Sequence, residues 1–213
     1  VSKKYELLKE DCIEYDGKTL YRIRALGDFE YVETGQLGGY IEKEENLSHE
    51  GEAWVSGNAQ VRDNTQISGN AWVSGNAWVS GDARVSGNAR VLSNARVFGT
   101  AWVLGNAGIS GNAQVSGNAQ ISDNAWVFDD AQVSGNAQVS DDAGVFGNAR
   151  VYGKAWVSGN ARVFGEAWVS GNARVFGEAW VSDNARVFGN VRVFDNARVS
   201  GDARIDGNAR ING

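Results

Sequence analysis

The chain has 213 residues, 28 of them glycine, with one cysteine, no proline, no methionine and a formal net charge of −6. A lone Cys12 excludes an intramolecular disulfide framework and makes a reducing, cytoplasmic setting the expectation. No stretch approaches the ~20 apolar residues of a membrane-spanning helix, and Val1–Tyr5 lacks the apolar run of a signal peptide, so neither a membrane partner nor secretion is expected.

Residues 1–50 do not repeat and are read as an N-terminal β-hairpin head and cap. Tyr5–Leu8 and Cys12–Tyr15 alternate as two short strands, and Asp16-Gly17 before Lys18–Leu26 is a type I′ hairpin signal. A Gly-rich turn, Gly35-Gln-Leu-Gly-Gly-Tyr-Ile-Glu, leads into Ile41 and Leu47, which stand six apart; the register then slips by two at His49-Glu50. This predicts an imperfect first coil that shields the open N-terminal end of the repeat region.

Residues 51–213 say one thing repeatedly. From Gly51 to Asn212 the unit Gly-Asn-Ala-x-Val-Ser runs through 162 residues, 27 hexads without insertion or deletion. A fixed short period predicts a solenoid. In Ala-x-Val the apolar residues stand two apart, so both face inward and x faces solvent. Ser-Gly-Asn forms the corner, since Gly and Asn tolerate φ > 0. Ala holds the small inner position everywhere except Thr65 and Val191, and the larger one is always Val or Ile.

A unit such as Val55-Ser56-Gly57-Asn58-Ala59 resembles the hexapeptide pattern of left-handed parallel β-helices. The resemblance implies an all-β single-stranded solenoid, three hexads to a triangular coil of 18 residues, nine coils in all, and it alone supplies the handedness. At ~4.8 Å per strand the rod would be on the order of 40 Å long. Leu20–Gln60 resembles the head of hexapeptide-repeat proteins of phages and prophages, mostly of unassigned function and often labelled polymer-forming. That resemblance implies a phage-encoded module that binds and inhibits a host protein such as a nucleic-acid-handling defence enzyme.

Sorted by coil, the outward positions fall on three faces, beginning at Trp54, Gln60 and Gln66. Tryptophans are flanked by arginines in places: Trp180 by Arg162 and Arg198, Trp168 by Arg150 and Arg186. These read as stabilising surface ladders. Charge is zoned along the axis, with five acids and no base in 97–149, then nine bases and six acids in 150–213. Trp126 lies in the acidic waist, its axial neighbours being Gly108 and Gly144, with Asp129 and Asp130 close by. Phe128, Phe146 and Phe164 are spaced to form an aromatic column beside it. This is the composition of a protein-binding hot spot and the candidate contact site.

Arg186, Arg192, Arg198, Arg204 and Arg210 form a possible basic surface. They are divided among all three faces with acids between, so direct nucleic-acid binding is not expected. The bulky corner residues, Phe98 and Tyr152 among them, suggest that an edge is covered, and Ile205 and Ile211 in the last coil suggest a homodimer end or a self-assembling rod. A hexapeptide acyltransferase needs a general base, and the only histidine is His49 in the cap. No catalytic residue, cofactor or metal ligand is therefore assigned, and a non-enzymatic binding module is the expectation.

Overall fold

The computed structural model describes residues 3–213; Val1 and Ser2, the first two residues of the stretch in which no signal peptide is expected, lie outside it. The chain is an all-β parallel solenoid headed by an antiparallel hairpin. In-register pairs such as Arg90 with Gly108 are 18 residues apart, so three hexads close each coil. Each face is a parallel sheet: two have nine strands, and the third has nine hexad strands continued by the head to make twelve.

The local reason is a division of labour within the hexad. Two residues per unit are extended, as in Trp126–Val127, the first outward and the second inward. The amides of the outward residue, the first corner residue and the Asn all donate to the next coil: Gln114 to Ala131, Ser116 to Val133 and Asn118 to Gly135, at 2.7–2.9 Å. The Ala amide instead closes the corner, as Ala113 does onto the Ser110 carbonyl at 3.3 Å. Backbone polarity is thus satisfied along the axis, leaving the interior to Ala and Val, which are fully buried from Ala71 through Val187. Each Val so buried is worth about 1.5–3 kcal/mol.

The corner departs from expectation in one respect. Positive φ falls on the Gly slot, for example 68° at Gly111, and at none of the asparagines. A Gly at the first central position with φ > 0 is the geometry of a primed turn. The Asn is there for its amide: Asn70 donates to Asn88, Asn88 to Asn106 and Asn106 to Asn124, at 2.9–3.1 Å, a ladder running up the edge.

In the head, the two expected strands are one, β1 (Tyr5–Tyr15), paired with β2 (Lys18–Ala25) across a register shift between Leu8 and Cys12. Lys9, Glu10 and Asp11 bulge out, so the charges that break the alternation do not end the strand. Asp16 and Gly17 both have positive φ, 51° and 73°, as a type I′ turn requires. The expected Gly-rich turn is also strand: β3 (Leu37–Ile41) is antiparallel to β2 and parallel to Gln60–Val61, joining hairpin to rod. A Cβ at Gly38 would stand 2.6 Å from the Val55 carbonyl oxygen and one at Gly39 2.7 Å from that of Ala59, which is why two glycines occur here. Tyr40 pairs with Gln60 and Leu47 with Ile67, twenty residues apart rather than eighteen. The two extra residues of the slip lie in this coil.

Candidate functional site

The hexad presents its outward residues on flat faces and its corner residues on three edges, so any surface site is built from vertical columns. On the first face Trp126 is paired with Gly108 below and Gly144 above. It is 45% exposed, the highest value for any tryptophan of the rod. Its ring lies over Gly108: a Cβ there would meet Trp126 Cε3 at 2.5 Å and Cζ3 at 2.6 Å. Gly144 has room for a Cβ, with nothing nearer than the Phe146 ring at 3.7 Å. The first glycine therefore lets the indole lie flat, and the second leaves open space above it.

On the neighbouring edge Phe128, Phe146 and Phe164 stack, with centroids 4.8 and 5.0 Å apart and rings within 5° of parallel. Trp180 closes the column edge-on to Phe164 at 5.8 Å. Each ring of the trio is half-buried. Asp129 and Asp130 lie on the same edge but are engaged by the corners. Asp129 occupies the Gly slot at φ 59° and accepts the Gly147 amide at 3.2 Å. Asp130 accepts from Asn112 Nδ2 at 2.9 Å, ending a ladder of amides with an acceptor-only group.

The flanked tryptophans are stacked with arginine. Trp168 lies under Arg150 and Arg186, at 5.1 and 4.9 Å from ring centroid to guanidinium carbon. Trp180 lies between Arg162 and Arg198 at 5.8 and 4.8 Å. Arg204 and Arg210 cover Phe188 and Phe194, while Arg192 is paired in register with Arg174 and Arg210. Ile205 and Ile211 are half-buried in the last coil.

One expectation fails at the other end. Outward tryptophan should face water, yet Trp54 is fully buried, because the head folds over it with Tyr5 and Phe29 edge-on at 6.4 and 5.3 Å. His49 belongs to the same joint. Its ring stacks on Tyr5 at 4.4 Å, its Nδ1 accepts the Lys4 amide at 3.2 Å, and burial holds its pKa below the ordinary value despite the opposing Glu44. Lys4 Nζ donates to the carbonyls of Gly51 and Ala53, and burial lowers its pKa to about 8 while Glu52 opposes that shift. Asn46, which the repeat pattern gave no reason to single out, is fully buried and holds the cap by donating to the Asp63 and Thr65 carbonyls. It stands one place before Leu47, where the hexad has its outward position and a polar residue is ordinary, so the sequence carried no signal for its burial.

Among the described residues no three His, Cys, Asp or Glu side chains converge as a metal site, and no helix is long and apolar enough to cross a membrane. The chain is a β-helix repeat protein. It is similar to the family described as the YdcK beta-solenoid repeat, which matches residues 66–81, 119–135, 144–159, 155–171, 167–183 and 185–201, all within the rod. No curated protein matches the chain.

Proposed function

We propose that the protein is a rigid, non-catalytic binding module that holds a protein partner against the strip formed by Trp126 and the Phe128–Phe146–Phe164 column. The observation that carries this reading is the flat, half-exposed indole beside stacked phenyl rings, an apolar strip on a rod whose own core is already complete. A phage-borne inhibitor of a host nucleic-acid-handling enzyme, working in the cytoplasm, is the physiological form of the proposal. It rests on the resemblance of the head and not on the strip.

His49 gives no support to an acyl-transfer reading, since one ring nitrogen is occupied by the Lys4 amide and the ring face by Tyr5. Capture from host lysate tests the binding reading: a protein retained by the wild type should be lost with Trp126→Ala/Phe128→Ala/Phe146→Ala, whose folding is checked by circular dichroism. Retention of the same protein by the folded triple variant would remove the strip as the contact. Self-association is a second reading, favoured by the exposed corner side chains Phe98 and Tyr152, 39% and 37% accessible. It predicts a particle mass that rises with concentration in light scattering.

A further inference from the structure

The fold sorts charge in a way the linear sequence conceals. Beyond residue 149 there are nine basic and six acidic side chains. Of the acids, Glu166, Asp183 and Asp202 stand on the edge from the first face to the second, and Glu178 and Asp195 on the edge from the third to the first. Only Asp206 stands on the edge between the second and third faces. That edge carries Lys154, and the faces meeting at it carry Arg150, Arg186 and Arg204 on one side and Arg174, Arg192 and Arg210 on the other. Seven of the nine bases thus border one edge, and five of the six acids border the remaining face.

Within this strip arginine is paired in register with arginine three times: Arg174 with Arg192, Arg192 with Arg210, and Arg186 with Arg204. Nowhere else in the rod does this occur. Like charges directly opposite in a ladder are destabilising. Ring stacking holds Arg174, Arg186, Arg204 and Arg210 against Trp156, Trp168, Phe188 and Phe194, but no carboxylate neutralises any of them, since the ion pairs within 4.0 Å among the described residues all involve cations between Lys3 and Arg62. A line of guanidiniums without anionic partners, repeated at ~4.8 Å, fits a ligand with a repeating negative charge better than a single anion.

The strip also offers one flat ring, Trp156, with the Arg174 guanidinium over one of its faces at 5.5 Å. Trp156 is 40% exposed, its orientation fixed by Nε1 donating to Ser140 Oγ at 3.2 Å. It is flanked by a hollow of about 390 Å³ with Lys154, Arg174, Asn136 and Gln138, and by one of about 190 Å³ with Ser158 and Phe176. No carboxylate lines either hollow.

We propose that this edge binds single-stranded nucleic acid, with phosphates along the arginine ladders and an unpaired base against Trp156. Positive charge tracking a backbone, with aromatic rings for stacking, is the general recipe for such strands, and a duplex would keep its base faces from the indole. The proposal is independent of the Trp126 strip, which lies on another face.

The test is fluorescence polarisation with a labelled oligothymidylate of about 12 nucleotides. Three or four phosphate contacts, at about −0.7 each in the slope of log K against log salt, should weaken binding about 20- to 50-fold between ~50 and ~200 mM salt. Arg192→Gln/Arg204→Gln should lower that slope by about 1.4, and Trp156→Ala should weaken binding about 5- to 150-fold. Arg162→Gln/Arg198→Gln on the first face should change it by less than about twofold, as expected of charges that do not contact phosphate. All these side chains point outward, so circular dichroism should be unchanged. Absence of binding at ~50 mM salt, or equal loss with the first-face pair, overturns the proposal. So does duplex DNA, heparin or an anionic vesicle binding as tightly as the strand and indifferently to Trp156→Ala.

Discussion

At the scale of single residues, the left-handed corner is the demanding position, and the chain meets it chiefly in two ways, with Ser93 at φ 62° as a third. Most units use Gly, but Asp63, Asp123, Asp129, Asp141, Asp183 and Asp195 take the same slot with φ between 56° and 64°. Aspartate tolerates this region better than most residues because its short side chain can bond to nearby backbone. In all but Asp195 it bonds upward, to the amide of the residue eighteen later: Asp141 accepts from Gly159 at 2.9 Å and Asp183 from Gly201 at 3.0 Å. The carboxylate replaces conformational freedom with a charge-assisted hydrogen bond, which is worth about 1.5–3 kcal/mol. Gly117, at φ 66° with the Gly135 amide above it, is the place to separate the two terms. Gly117→Ala should destabilise by about 1–2 kcal/mol or more through left-handed strain and the 3.0 Å approach of its Cβ to the Gly135 backbone, whereas Gly117→Asp, which has the same Cβ, should recover about 1 kcal/mol or more of that loss. Urea midpoints of the two variants decide it, and equal midpoints would mean that the upward bond contributes nothing. The acids of the waist were legible as charges in the sequence; that Asp129 is spoken for by a corner amide was not, because the partner is eighteen residues away.

At the scale of elements, the joint between head and rod is where pattern reading gave out. Trp54 occupies an outward position of the hexad like any other, and only the path of β1 and the Phe29 loop puts it out of water. That path depends on Gly38 and Gly39 letting β3 approach the first full coil, a close approach that the sequence presents as an ordinary Gly-rich turn. By contrast the hairpin turn was legible, since Asp-Gly imposes its own geometry within four residues. The joint should be sensitive to alkaline pH through Lys4. Its ammonium is half sequestered against the Gly51 and Ala53 carbonyls and the Phe29 ring, with a folded pKa of about 8 against an ordinary 10.5. A base whose folded pKa is lowered binds fewer protons than in the unfolded chain between those values, so its contribution to stability rises with pH from about 8 to 10.5 and is constant below. The midpoint of the wild type relative to Lys4→Met should therefore rise between pH 8 and pH 10. A gap that stays fixed would show that the ammonium is hydrated in the folded state.

At the scale of the whole molecule, the rod is a one-dimensional stack in which each coil touches only its neighbours, and this explains both what could be read in advance and how the protein should fail. Inner and outer residues follow from a period of six, whereas coil closure came from the resemblance to hexapeptide β-helices, and the Phe column follows from it because eighteen-residue neighbours are fixed once three hexads close. Which edge gathers the bases did not follow so readily, since Lys154, Arg174, Arg186 and Arg204 come together only when corners and faces are sorted by turn. In such a stack, stability is the sum of local coil terms and interfaces between them. Val127 is fully buried and its ladder neighbours are Ile109 and Val145 alone, so a polar group there meets no water and no alternative packing. Val127→Asp should remove about 3–5 kcal/mol or more at that coil while leaving distant interfaces untouched. The expected outcome is two thermal transitions in circular dichroism where the wild type has one, with proteolytic cleavage at the corners flanking the site. Burial raises the pKa of the introduced carboxyl, so the defect should be fully present at neutral pH and lessen as the pH falls and the group becomes uncharged. Val127→Ala, which leaves a cavity of two methyl groups without a charge, should lower the midpoint by a smaller amount and keep a single transition. If Val127→Asp also melts in one step, coupling along the axis extends well beyond adjacent coils, and the rod must be treated as one cooperative unit.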